Sequence, residues 1–344
     1  MTTVSDELRL PGDADVEAVI PVRRRFREVL RPLRVALLVA AVLAAFAPAL
    51  TNAEQLNSLI AIGIHALFAM SLDLLLGYGG LPTLGHAMFF GIGGYVAGVL
   101  GVRQTSEVLV TLPLAIVAGA AGGYLVARIA LRTQTLQFLM ITFAFSGVVL
   151  AGIERLKEYT GGNDGLSGIP TPELAGTTLG TEARIYYLVL VVLAASWFLM
   201  RRLVESPFGR VVIGIRDNAV RVRSLGIDPT RRLAVLFAVG SAFAAAAGAL
   251  HVYFFKFISP TSAGFIMAAD GLFMVIIGGP ASLVGGLIGA AAVYLSREEL
   301  NDVTEHPNLF LGVLFVLFVL FIRGGIVGLA RRASARWRQR GVRT

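Results

Sequence analysis

Apolar runs of about 20 residues recur along this chain, divided by short polar stretches rich in arginine, and a bundle of helices in lipid is the fold that satisfies such a pattern. Inside a bilayer no water is available to the backbone, so each run must close its hydrogen bonds within itself as a helix. Runs at 35–53, 56–76, 84–102, 108–127, 133–153, 185–200 and 233–255 fit single spans. The stretch 263–295 is too long for one and is divided by Gly278-Gly279-Pro280, and a shorter run follows at 309–322. The expected fold is therefore all-α, a polytopic transmembrane bundle of about ten spans, with eight to ten as the bracket. Composition agrees: 56% of the 344 residues are hydrophobic and 15% are charged, against about 25% charged in soluble domains.

The net charge of +8 would suit nucleic acid if it formed one patch. Instead, the arginines flank the apolar runs, as the positive-inside rule requires, so the partner they imply is membrane lipid and no nucleic acid is expected. With the basic N-terminus placed inside, Arg128 and Arg132, the loop 201–232 and the tail after 325 all fall on the cytoplasmic side. The acidic or mixed loops 154–184 and 297–308 fall outside. Both termini are then cytoplasmic. The expected organisation is a tail at 1–34, a membrane domain at 35–325 and a basic tail at 326–344. The tail at 1–34 is too long and too charged for a cleaved signal peptide.

Cysteine is absent, and four scattered histidines, His65, His86, His251 and His306, form no metal-ligand spacing. No nucleophile elbow or zinc-protease motif is present, so no enzyme activity and no metal site are expected. The lysines, Lys157 and Lys256, follow no Gly-x-x-x-x-Gly, so the chain carries no phosphate-binding loop.

Two interruptions are candidates for a solute path. The first is Gly77-Tyr78-Gly79-Gly80-Leu81-Pro82-Thr83-Leu84-Gly85-His86, and the second is Gly278-Gly279-Pro280-Ala281-Ser282-Leu283. Non-helical backbone at membrane depth requires protein or a wet cavity around it, and broken helices are a recurring way to hold a solute. The two share Gly-Gly-x-x-(Thr/Ser)-Leu, with Gly79 matching Gly278 and Thr83 matching Ser282, in a parallel relation. Tight cytoplasmic turns are the competing reading of both. Asp73 and Asp270 lie within apolar runs, where a carboxylate is costly. Asp73 is near a predicted inner end, where backbone or partner contacts account for it. Asp270 is deeper and is a candidate site residue. The candidate pathway set is Gly79, Gly80, Thr83, His86, Asp270, Gly278, Gly279 and Ser282. Dense small residues at 119–123, 242–248 and 285–292 read as packing surfaces. In loop 201–232, the stretch 211–225 reads as an amphipathic helix ended by Gly226, with Pro229 beyond. It suits either the lipid interface or a cytosolic partner.

The segment from Asp73 through Gly-Tyr-Gly-Gly-Leu-Pro-Thr-Leu-Gly-His86 to Tyr95 resembles the signature of the LivM-type permeases of branched-chain amino acid ABC importers. So do Thr160-Gly-Gly-Asn-Asp-Gly-Leu166, Ser206-Pro-Phe-Gly-Arg210, Ile215-Arg-Asp-Asn-Ala219, Ser224-Leu-Gly-Ile227, Ser259-Pro260 and the Gly278-Gly279 segment, in order, over about 55–325. The resemblance implies a multi-pass subunit in the plasma or inner membrane. Its implied partners are a second, LivH-like permease, two cytosolic ATPase subunits and an extracytoplasmic solute-binding protein. It binds no cofactor itself, and ATP is used by the ATPases. The resemblance also makes 201–232 the coupling loop, with Arg216, Asp217, Asn218, Arg221 and Gly226 as its expected coupling residues. Many ABC permeases carry acidic-Ala-Ala-x-x-x-Gly there, and Val220-Arg221-Val222 before Gly226 departs from it. Sister families carry urea or other amides, and a self-contained secondary transporter with Asp270 as ion site is a rival of another class.

Overall fold

The computed structural model describes residues 51–133 and 135–303, with short pieces at 47–48, 312, 316 and 324–329. Contacts divide the chain into two units, Met1–Asn52 and Ala53–Thr344. In the first, the Thr51 hydroxyl donates to the Ala47 carbonyl at 2.7 Å. The described part of the second is almost wholly helical. It comprises α1 Ala53–Asp73, prolonged by a π turn Leu74–Tyr78, then α2 Ala87–Arg103, α3 Val108–Ala130, α4 Thr135–Arg155 and the short α5 Lys157–Thr160. A two-stranded antiparallel hairpin, β1 Glu173–Leu174 and β2 Thr177–Thr178, precedes α6 Glu182–Glu205. After it come α7 Pro207–Ser224, α8 Pro229–Phe255, α9 Phe265–Gly278 and α10 Leu283–Val303.

In lipid, burial of apolar surface does not by itself join helices, so close backbone approach has to. The small-residue stretches supply it. Gly119 and Gly123 of α3 lie against Ala245 and Ser241 of α8, and Gly248 of α8 lies against the Phe90 carbonyl of α2. Gly289 and Gly285 of α10 meet Met274 and Gly278 of α9. The predicted packing surfaces thus join helices within this chain. These contacts also fix direction. α1, α3, α6 and α9 run toward the arginine-rich end of the bundle, where α7 lies, and α2, α4, α8 and α10 run away from it. α1 and α8 form the interior: 78% and 67% of their most apolar stretches are buried, against 28% for α3, 22% for α4 and 28% for α6.

Five helices among the described residues are long and apolar enough to cross a membrane alone, or six with the bent pair α9 and α10 taken as one span. The sequence predicts eight spans in this region, and the three that do not qualify alone are α2, α9 and α10. α2 has 17 residues and α9 has 14, which at 1.5 Å per residue gives about 26 Å and about 21 Å against a core of about 30 Å. Boundaries also moved. α6 extends over Glu182–Glu205 instead of 185–200, and α10 continues to Val303 through the predicted loop 297–308. Charged residues end an apolar run without ending a helix, because Glu and Arg are good helix formers. The predicted spans 35–53 and 309–322, both tails and His306 lie outside the described residues, apart from the short pieces at 47–48, 51–53, 312, 316 and 324–329.

Candidate functional site

Both interruptions lie side by side at the arginine-rich end. The first opens with the π turn, in which the Gly79 N–H donates to the Leu74 carbonyl at 3.2 Å and the Leu81 N–H to the Leu75 carbonyl at 3.0 Å. Pro82, without an N–H, follows Gly80 at φ +68°, so the helix cannot continue. At the second, Gly279 has φ +112° and Ala281 φ +57°. Here α9 turns into α10 through 116°.

Asp73, fully buried, ties the two together. Its Oδ1 accepts the Ala281 N–H at 2.7 Å and its Oδ2 the Ser282 N–H at 3.0 Å. These amides precede the first turn of α10, where no intrahelical acceptor exists, so Asp73 caps α10 from a different helix. The expectation that backbone contacts account for Asp73 is met. Gly77 makes this approach feasible, because a Cβ there would overlap the Ala281 amide nitrogen and the Asp73 carboxylate.

α7 reaches the same point. Arg216 Nη1 donates to the Gly77 carbonyl at 2.6 Å, while its Nε and Nη2 bond Asp217 Oδ1 at 3.2 and 3.1 Å. A Cβ on Gly80 would lie 2.7 Å from Arg216 Cγ. α7 starts four residues before the predicted 211: Pro207 occupies its first turn and the Ser206 hydroxyl accepts the Gly209 N–H at 3.2 Å. At Asn218 (φ −161°, ψ 95°) it breaks, and the Asn218 side-chain oxygen caps the final piece by accepting the Arg221 N–H at 2.9 Å. Gly226, at φ +79°, closes that piece with its N–H on the Arg223 carbonyl. Val220 and Leu225 of this tip stand exposed at 75% and 74%.

The remaining candidates divide. Thr83 and Ser282 are both buried, and their hydroxyls accept the Gly85 and Gly285 N–H groups at 3.2 and 3.3 Å, so the matched residues do matched work. His86 is buried, with Nε2 2.9 Å from the Ser71 hydroxyl and its ring stacked 5.6 Å from Phe68. Gly79, Gly278 and Gly279 are buried at the joint, whereas Gly80 is exposed. Asp270 is apart from this group, eight residues before Gly278 on α9, or about 12 Å along the axis. Arg297 of α10 holds it with two hydrogen bonds of 2.8 Å. A carboxylate engaged on both oxygens by a guanidinium is not a free ion site.

Sequence reasoning missed Arg297 and the role of Gly77. The apolar run ends at 295, which sets Arg297 in a loop, yet its spacing of 14 residues from Leu283 is compatible with helical continuation. Nothing in the sequence ties Asp73 to residues more than 200 positions away. At the opposite end, Gly161, Gly162 and Gly165 all have positive φ, which explains the glycines of the 160–166 motif. Leu166 and Ile258 exchange backbone hydrogen bonds of 2.8 and 3.1 Å, bringing that motif beside Ser259-Pro260.

Residues 54–322 match the family model described as branched-chain amino acid transport system / permease component. The high-affinity branched-chain amino acid transport system permease protein LivM of Salmonella typhimurium is 30% identical over 291 residues, covering 78% of this chain and 68% of the relative. LivM of Escherichia coli is 29% identical over the same shares. LivH of Salmonella typhimurium is 25% identical over 299 residues, 80% of this chain and 94% of the relative. No solved structure matches. With a family model spanning more than half of its length and a bundle of apolar helices beneath it, this multi-pass membrane protein belongs to the branched-chain amino acid transport system permease family.

Proposed function

We propose that the chain is a membrane-spanning permease subunit of an ABC importer in the plasma or inner membrane, carrying branched-chain amino acids with ATP hydrolysed by separate subunits. The observation that carries this reading is the Arg216 contact. An amphipathic, arginine-rich helix without a nucleotide motif lies across one end of the bundle and reaches the carbonyl of a broken helix. Such a helix suits force delivered from another protein. The positive-inside rule supports a cytoplasmic location for that end, with the exposed Val220 and Leu225 then available to the ATPases. The opposite end, with the hairpin 173–178, would then receive a solute-binding protein. A second, LivH-like permease completes the assembly; similarity to both LivM and LivH relatives supports a paired arrangement.

Transport itself would proceed by alternating access. The solute drives the switch only through unequal affinity for the two states. Asp270 in a bidentate ion pair weighs against the rival reading as an ion-coupled carrier. Reconstitution tests the proposal: proteoliposomes with the full set of subunits should take up leucine, isoleucine or valine only with ATP inside, and urea should not compete. Uptake by the purified chain alone on an ion gradient would overturn it.

A further inference from the structure

Asp73 is buried in the interior and spends both oxygens on backbone it does not share a helix with. It stands one turn before Gly77, whose carbonyl is the point that Arg216 grips. At the contact between the π turn and the α9–α10 joint, Gly77 lies directly on the Ala281 amide with the Asp73 carboxylate beside it. Displacement of the π turn toward the joint is therefore transmitted by contact, and displacement away from it is transmitted by the carboxylate.

We propose that Asp73 is the positioning residue that carries movement of α7 into the hinge between α9 and α10, an inference that rests on the reading of α7 as the helix driven by an ATPase. The parts are suited to it. A π turn holds one residue more than the α-helix needs and can shift register over a short distance. The hinge is made of Gly279 and Ala281 in left-hand φ space, and hinges are few residues at element ends that absorb dihedral change. α10 has no acceptor of its own for the Ser282 and Ala281 amides, so Asp73 is its grip. When Arg216 draws the π turn, the carboxylate takes the first turn of α10 with it and alters the angle to α9. Asp270 with Arg297 ties the arms together farther along and so limits how far that angle can open.

The assembled transporter, with its second permease, ATPases and loaded binding protein in proteoliposomes, provides the test through solute taken up per ATP hydrolysed. Asp73→Asn replaces one acceptor by an N–H that opposes a backbone N–H. Hydrolysis should persist while uptake per ATP falls roughly tenfold. Arg216→Gln should give a comparable loss, and the double variant no more than the larger single loss, because the two act in series. Since the chain has no cysteine, spin labels can be placed at will. Val220→Cys on α7 and Leu287→Cys on α10, each measured against Leu125→Cys on α3, use exposed positions. Nucleotide should shift both distances in the parent and only the α7 distance in Asp73→Asn. An unchanged uptake-to-ATP ratio, multiplied losses in the double variant, or α10 still moving with α7 would overturn the role of Asp73 and leave the ABC reading intact. Absence of ATP-dependent uptake from the parent assembly would instead sink the ABC reading, and this inference with it.

Discussion

Asp73 and Asp270 stand on α1 and α9, neighbouring helices that run the same way, yet backbone amides hold the first carboxylate and a guanidinium holds the second. The partners differ in what they leave behind. If Asp73 lets go, two backbone amides lose a cap and the carboxylate, fully buried, loses both partners. If Asp270 lets go, a buried carboxylate loses the guanidinium that neutralises it, although the Arg297 side chain itself is about one-third exposed. The first arrangement behaves as a joint and the second as a strap. Their surroundings agree: glycines and residues of positive φ crowd the Asp73 end, while Asp270 and Arg297 sit within regular helix.

The largest expected effect is on the strap. Arg297→Ala should lower stability by about 3–5 kcal/mol, because Asp270 is left buried and unpaired. Thermal unfolding in detergent would register this, and adding Asp270→Asn should recover most of the loss. A stable Arg297→Ala protein would erase the distinction between strap and joint. Next, Gly77→Ala should cost about 1–3 kcal/mol by overpacking the joint. Gly147→Ala, at a mid-helix position with nothing within 4 Å, is the control and should raise stability by about 0.5–1 kcal/mol, the helix preference for alanine over glycine. Asp73→Ala should cost about 1–2 kcal/mol, the range for a lost helix cap. A loss as large as that of Arg297→Ala would show the joint to be as rigid as the strap. The smallest effect belongs to the cap on the α7 tip: Asn218→Ala should cost about 1 kcal/mol or less. It should appear as faster amide exchange in 219–224 with the bundle unchanged.

Much of this architecture was legible in residue order. The two breaks, the stop at Gly226 and the small-residue surfaces follow from local chemistry: proline lacks a donor, glycine reaches positive φ, and small side chains admit a second backbone. Span boundaries were less legible. The end of α10 is hidden in the sequence because Arg297 and Glu298 interrupt the apolar run and read as a loop, while the partner of Arg297 lies on α9. Residue order presents the candidate site as two sets, a solute path and a coupling surface. Gly77, Gly80 and Arg216 join these into one place.

The order of residues by itself determined that this chain is a helical bundle for lipid, where its helices break and which end carries the arginines. Those properties follow from hydrogen bonding within a segment and from the transfer of side chains between water and lipid, both local in sequence. Which break meets which, that Asp73 caps a helix more than 200 residues away, and that Arg297 answers Asp270 were decided only by tertiary packing. A carboxylate in an apolar run declares that it needs a partner, but the partner is chosen by how close helices come in space, and that distance is set by the small residues between them.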